Sequence, residues 1–476
     1  MKRYPLPLLM MMLCVSPLAP AQLQAPPDHA VVVAVGGPGD DVVLQSYLDQ
    51  ALRANPALAA RAASVRASDA DVDAARAQEW PELSLNARYT RSDGGRTIDI
   101  PTGDLLNPVY DTLNQMLEAQ GQAPQFPNIS NQSIAFLRAH EQETKLSLTA
   151  PLFAPQVWAN VDAKRALAGA SRAEREAYAR TLVRELKRAY YAAVESNAAA
   201  GILEASEQLL AENVRVSQSL VDAGKATRDR VLRADAEHLN AEQQLDAARA
   251  QTAQAKRLLN MLRAQPLDAP LQLPTPESLS LPQRRAVPTH SRPELRQVER
   301  SLVAARAGER AARDASLPTL GIAADYGVQG EDYRFDSGSD FDTVSLVLRW
   351  QLWDAGSRSA QRAQARAQTA ELQARHDDLL QQLELARRAA DEDLATALRA
   401  VATGQARVAA AEEGFRIAER KRDAAALSQI EFLDAERNLR EARLSLAIAR
   451  CDAFDRAAEL ELANASYALP DDLTAP

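Results

Sequence analysis

The chain is almost without cysteine. It has two, and one of them, Cys14, sits in an N-terminal stretch that reads as removable, which leaves Cys451 with no internal disulfide partner. Glycine (18 of 476 residues) and aromatic side chains (5%) are also scarce, and that composition disfavours a compact α/β enzyme. There is no basic excess: the formal charge of −9 offers no face for nucleic acid. The five histidines (29, 140, 238, 290 and 376) are scattered without ligand spacing, so no metal site or cofactor is expected. No Gly-x-Ser-x-Gly elbow occurs, and Gly36-Gly37-Pro38-Gly39 is not followed by the Lys-Ser/Thr of a phosphate loop. No enzyme is expected. Finally, no stretch after the first residues approaches the ~18 consecutive apolar residues of a transmembrane helix.

The first residues read as an export signal over 1–21. Lys2 and Arg3 precede an apolar run from Leu6 to Leu18, and Ala19-Pro20-Ala21 supplies a small-x-small cleavage site. Leu13 stands where a lipidation signal needs a small residue, so Cys14 is not expected to carry lipid. Residues 22–42, with Pro26-Pro27 and the glycine cluster, read as a flexible lead-in. An exported chain without an apolar helix is either soluble or a membrane β-barrel.

What is present is a repeat. Asn55-Pro56-Ala57-Leu58 and Trp80-Pro81-Glu82-Leu83 match Arg292-Pro293-Glu294-Leu295 and Leu317-Pro318-Thr319-Leu320 at one offset, 237. Leu146-Ser147-Leu148 then matches Leu346-Val347-Leu348 at offset 200, so the first copy carries a longer loop. The copies span 43–265 and 291–468, with a linker over 266–290 and a tail over 469–476. Prolines 266, 270, 274, 276, 282 and 288 make that linker extended rather than helical.

Each copy orders helix, strand, loop, strand and two long helices. The strands alternate. Leu83, Leu85, Ala87 and Tyr89 share one face, and Glu82, Ser84, Asn86 and Arg88 the other. Leu146, Leu148 and Leu152 oppose Lys145, Ser147 and Thr149; Leu320, Ile322, Ala324 and Tyr326 oppose Thr319 and Asp325; Val344, Leu346, Leu348, Trp350 and Leu352 oppose Ser345, Arg349 and Gln351. One apolar and one polar face is the pattern of a barrel wall, with Arg88, Asp325 and Arg349 toward the lumen. The residues from Ser357 to about Ala424 contain no helix breaker, and Gln156 to Val221 is similar. Leu394, Val401, Val408 and Phe415 repeat every seven residues beside Ala390, Ala397, Gly404, Ala411 and Ala418, a seam of large residues against small ones. Breaks at Gly224 and Ala425 turn each long helix into a hairpin.

The duplicated Pro-x-Leu strands at 81 and 318, Pro151-Leu152-Phe153 with Gln351-Leu352-Trp353-Asp354-Ala355-Gly356, and the hairpin runs Val231-Leu232-Arg233-Ala234 and Glu431-Phe432-Leu433-Asp434-Ala435-Glu436 carry a family resemblance. On these residues the sequence resembles the TolC-like outer membrane efflux family over nearly all its mature length. The resemblance implies an α+β membrane channel: a homotrimer whose twelve-stranded β-barrel takes four strands from each protomer and continues into a helical coiled-coil tunnel. It implies outer-membrane lipid around the barrel, helices in the periplasm, and a periplasmic adaptor and inner-membrane pump as partners in efflux or type I secretion. It leaves the cargo open among drugs, metals and proteins. Matched position by position, the acidic residues of the tunnel entrance fall on Glu431 and Asp434, near tip positions Gly224 and Ala425. Three copies would form two carboxylate rings, whose mutual repulsion is expected to raise their pKa values. The chain departs from the family pattern at Ala425 (usually glycine), Leu427 (often basic) and Pro155 (often glycine). The alternative reading is a soluble periplasmic coiled-coil adaptor or scaffold, which would lack four alternating strands.

Overall fold

The computed structural model describes residues 42–283, 291–334, 338–424 and 426–474. The export signal, nearly all of the lead-in, and tip position Ala425 lie outside the described residues. The first copy runs α1 (Val42–Ala54), α2 (Pro56–Ala77), β1 (Glu82–Arg91), β2 (Thr97–Ile100), α3 (Thr102–Ala119), β3 (Gln132–Ala135), β4 (His140–Phe153), α4 (Pro155–Asp222) and α5 (Arg228–Leu262). The second runs α6 (Pro293–Asp314), β5 (Thr319–Gly330), β6 (Asp340–Arg349), α7 (Ser357–Asp423) and α8 (Gln429–Ala463), followed by a terminal turn, α9 (Asp471–Thr474).

The repeated Asn/Arg-Pro motifs are helix starts. The Asn55 side-chain oxygen accepts from Ala57 N (3.0 Å) and Leu58 N (3.2 Å), and Pro56 takes the first helical position, where a missing N–H is harmless. Pro293 opens α6 in the same position, and Pro155 opens α4. A proline in place of the family's usual glycine therefore suits the start of that helix.

The main sheet is antiparallel throughout, in the order β1-β4-β5-β6. Its register puts Leu83, Leu148, Ala324 and Val344 in one row across all four strands. Gly327 is required for the close approach of β5 to β4, since a Cβ there would lie 2.5 Å from Thr144 O. Two details differ from the sequence expectation. The fourth strand starts at Asp340 and stops at Arg349 instead of continuing to Leu352, and the Trp350 indole N–H donates to Ser316 O (3.1 Å). The loop between β1 and β4 also holds a small β2–β3 sheet beside α3, built from four-residue strands too short to show a period.

α4 and α7 are 68 and 67 residues long, each about 100 Å at 1.5 Å per residue. Each folds back on its successor as an antiparallel hairpin. The small-and-large seam of α7 is real over its middle: Ala390, Leu394, Ala397 and Val401 are buried against Ala453, Ala457 and Leu460 of α8. A Cβ on Gly404 would sit 3.2 Å from Leu446 Cδ1, so glycine sets the spacing there.

The densest core lies halfway along α4. Leu44, Tyr47 and Leu48 of α1 pack on Leu182, Leu186 and Tyr190, joined by Leu259, Phe454, Leu469 and Leu473. The proline-rich linker is tied into this belt. Tyr47 Oη donates to Gln272 O and accepts from Gln272 N, while Arg450 donates to Pro276 O and Leu279 O (2.9 Å each). Cys451 is buried here, and burial beside Glu195 pushes its thiol up to about 12, which makes it unreactive. Among the described residues no helix is long and apolar enough to cross a membrane.

Candidate channel entrance and lumen face

Arg88, Asp325 and Arg349 share the polar face of the sheet. Arg88 Nη2 lies 2.7 Å from Glu143 on the neighbouring strand, and Lys145 stands 3.5 Å from both Glu143 and Asp325. Charge alternates across β1, β4 and β5, so the row is held by cross-strand pairs. Arg349 pairs with Thr319 in register and lines an 800 Å³ cleft at the helix end of the sheet, together with Glu82, Thr149 and Trp80. The opposite face exposes Leu83, Leu85, Leu146, Leu148, Leu346 and Leu348. An apolar surface of that extent on one side of a sheet demands cover by lipid or protein.

At the far end of the long helices lie the two hairpin tips. Gly224 adopts φ +70° just after α4, with Gly224 N bonded to Val221 O (2.9 Å) and Lys225 N to Leu220 O (2.8 Å). That is a left-handed helix stop, and glycine is there for its backbone freedom alone, because no atom crowds its missing Cβ. In the second tip, Ser428 caps α8. Its Oγ accepts from Glu431 N (3.3 Å), and the Glu431 carboxylate accepts from Ser428 N (3.0 Å) and Ser428 Oγ (2.8 Å). This reciprocal box was readable as Ser-x-x-Glu. Those bonds, aided by Lys421, hold the Glu431 carboxyl below its ordinary range. Local capping within the protomer thus acts on this exposed group in the sense opposite to the repulsion expected of a three-copy ring.

Asp434 is exposed and faces Arg437 at 3.6 Å, and Arg437 also pairs with Glu237 of α5 (3.0 Å). Leu427, in place of a basic residue, packs with Phe415, Phe432 and Leu433 instead of forming an ion pair. The basic residues at this end were missed in the sequence: Arg420, Lys421 and Arg422 fill the last turn of α7, where cations suit the helix dipole. Arg422 lies 4.4 Å over the Phe432 ring. Two turns farther along α8, Glu436, Arg440 and Ser206 of α4 form a buried polar cluster. Arg440 Nη1 donates to Ser206 Oγ (3.0 Å) and stands 3.3 Å from the Glu436 carboxylate, which Ser206 Oγ also contacts. Buried polar atoms of Asn213, Ser217 and Gln429 at this end have no hydrogen-bond partner among the described residues.

No curated protein sequence matches this chain. Solved structures do. The outer-membrane channel OprN superposes with a TM-score of 0.73 at 18% identity, over 90% of this chain and 91% of that one. VceC of Vibrio cholerae gives 0.70 at 19% identity (88% and 95%), and the open state of Neisseria gonorrhoeae MtrE gives 0.71 at 18% (91% and 90%). These likenesses establish the fold, and nothing supports the soluble adaptor. The sequence profile of the outer membrane efflux protein family matches residues 47–262 and 289–465, which is most of the chain. The chain belongs to the outer membrane efflux protein family: it is an outer-membrane channel that serves as an exit duct for efflux, with its helices in the periplasm, and not an enzyme.

Proposed function

We propose that three copies close into a twelve-stranded barrel above a hollow helical tunnel, and that this trimer receives cargo from an inner-membrane pump through a periplasmic adaptor. The observation that carries the reading is the four-stranded sheet itself. β1 and β6 are edge strands, and the face opposite the ion pairs is apolar and exposed. In lipid an open edge is not tolerated, so the sheet must be completed by other copies, with Arg88, Asp325 and Arg349 lining the lumen. The hairpin tips form the periplasmic entrance, where Glu431 and Asp434 face one another across the threefold axis. The unpartnered Asn213, Ser217 and Gln429 atoms fit an end that meets other chains.

Detergent extraction of outer membranes should yield a trimer that conducts in planar bilayers. A water-soluble monomer released by osmotic shock overturns the reading. In the same bilayers, the Glu431→Ala/Asp434→Ala channel should lose cation preference while its trimer yield is unchanged.

A further inference from the structure

All four tryptophans of the chain gather at one level. Trp80 stands two residues before β1, Trp158 lies in the first turn of α4, and Trp350 and Trp353 follow β6 directly. All are exposed, Trp353 to 82%. Trp80 lines the polar-face cleft, whereas Trp350 continues the apolar row of Val344, Leu346 and Leu348, and exposed tryptophan at the end of an apolar strand face marks a membrane–water boundary. Just beyond that level, between α6 and α7, is a cleft of about 170 Å³ lined by Arg306, Arg310, Arg313, Arg362, Arg366 and Glu309.

Five guanidiniums line the cleft beside one carboxylate, and acids pair with only three of them. Arg310 pairs with Asp162 (3.2 Å), Arg313 with Asp314 (3.2 Å) and Arg366 with Glu309 (3.5 Å). Arg306 reaches only the neutral amide of Gln373 (3.3 Å), and the Nε of Arg362 is buried without a partner. Among the described residues, Arg306 and Arg362 form no ion pair, which leaves two positive charges over. Guanidinium forks match phosphate oxygens, and they are the side chains best suited to hold a phosphate at low hydration.

The cleft opens on the lipid side. Gln329 N bonds to Ser339 O, so the polar-face residues of β5 direct their backbone toward β6. For L-residues rising through the membrane, that sets β6 to the left of β5 and β4 to the right, seen from the apolar face. α6 sits between α4 and α7 in the same order. Its right-handed turn then brings Val303, Arg306 and Arg310 to the apolar-face side, and Ser301, Ala305 and Gly308 to the other. Arg313 is in the last turn of α6 and Arg362 in the second turn of α7, so the cleft spans the first ~15 Å below the barrel, and its upper part lies in the headgroup layer, about 5–8 Å deep.

We propose that this arginine cleft binds the phosphate of an anionic phospholipid in the periplasmic leaflet of the outer membrane, one site per protomer. The inference rests on the barrel reading for its orientation. The phosphate is held by Arg306 and Arg362, with Arg310, Arg313 and Arg366 setting the field.

The test uses the purified trimer in neutral detergent. Its dissociation temperature and retained lipid are followed as phosphatidylglycerol, phosphatidylcholine or inorganic phosphate is added. Phosphatidylglycerol should raise the dissociation temperature and remain bound through native mass spectrometry, and the other two should not. Arg306→Gln/Arg362→Gln, which breaks no ion pair, should weaken phosphatidylglycerol binding about thirtyfold and leave conductance unchanged. Equal stabilisation by inorganic phosphate, or by phosphatidylcholine, overturns the proposal, as does unchanged phosphatidylglycerol binding by the double variant. The lipid comparison on the unmodified protein stands even if the variant assembles poorly. Failure of the barrel reading shows itself separately, as absence of a conducting trimer.

Discussion

α4 and α7 are duplicated helices of nearly equal length, yet they live in different surroundings. α4 buries 23 of its 68 residues, whereas α7 buries only six. α4 is packed chiefly by α5, α6, α2 and α8, while α7 packs chiefly on α8 and α6. Leu385 of α7 is 70% exposed, and α5, at the other margin, exposes Leu232, Leu239, Leu258 and Met261. The same split appears in the sheet, where β4 and β5 are paired on both sides and β1 and β6 on one. Each copy thus gives one strand to the centre and one to an edge, while the long helix lies inside in the first copy and at the margin in the second. An apolar margin on a long helix is unfinished structure. In the proposed trimer, these two margins are the surfaces that would meet, α7 of one protomer against the α5 side of the next.

The comparison breaks most sharply where α4 is tied to the second copy. Arg440→Met strands the Glu436 carboxylate beside Ser206, and losing one member of a buried pair costs about 3–5 kcal/mol. Thermal unfolding in detergent should show that loss, and adding Glu436→Leu should restore most of it. If the single variant is as stable as the parent, the cluster does not join α4 to α8.

Core truncation separates centre from margin. Leu186, fully buried on α4, should cost about 2–5 kcal/mol of protomer stability when changed to Ala. Leu385→Ala should leave protomer unfolding nearly unaltered and weaken the trimer on native gels. Equal effects on protomer stability would make α7 a core helix after all. On the barrel wall, Val344→Arg, on the apolar face in the middle of β6, should cost about 2–4 kcal/mol near the membrane midplane, and Ser345→Arg, one residue on and on the opposite face, far less. Similar assembly defects in both would reverse the two faces.

Much of this contrast was legible before any coordinates. Alternation in four segments and a seven-residue seam are local periodicities, and local periodicity survives folding because it is what the sheet and the helix pair read. Gly224 was legible for the same reason, since a left-handed stop depends on one backbone angle. The Ser206–Glu436–Arg440 cluster was not, because its members lie up to 234 positions apart and each reads alone as a solvated polar residue. The tip acids carry two signals at once: family position points Glu431 to an acidic ring, and the Ser428-x-x-Glu431 spacing fixes its bonds within the protomer. Basic Arg420, Lys421 and Arg422 were passed over because mixed charges along a helix look uniform in sequence.

The smallest effect expected is at Glu431, and it sharpens the contrast between what a protomer fixes and what assembly adds. Hydrogen bonds from Ser428 N and Oγ lower this carboxyl below its ordinary value of 4.5. A group whose folded pKa is depressed stabilises the fold above its unfolded value, and that contribution fades as pH falls through the folded one. Amide exchange in the first turn of α8, corrected for intrinsic rates, should therefore hold steady down to about pH 4.5 and lose protection only below it. Glu431→Gln keeps a side chain able to close the capping box but carries no charge, so its protection should not vary with pH. Three carboxylates brought close on the threefold axis would act in the opposite sense, raising the pKa by repulsion. A loss of protection that begins above pH 4.5 in the trimer, and disappears in Glu431→Gln, would mean that the ring outweighs the cap. Protection lost only below that value leaves capping in control, with the three Glu431 side chains held too far apart to repel.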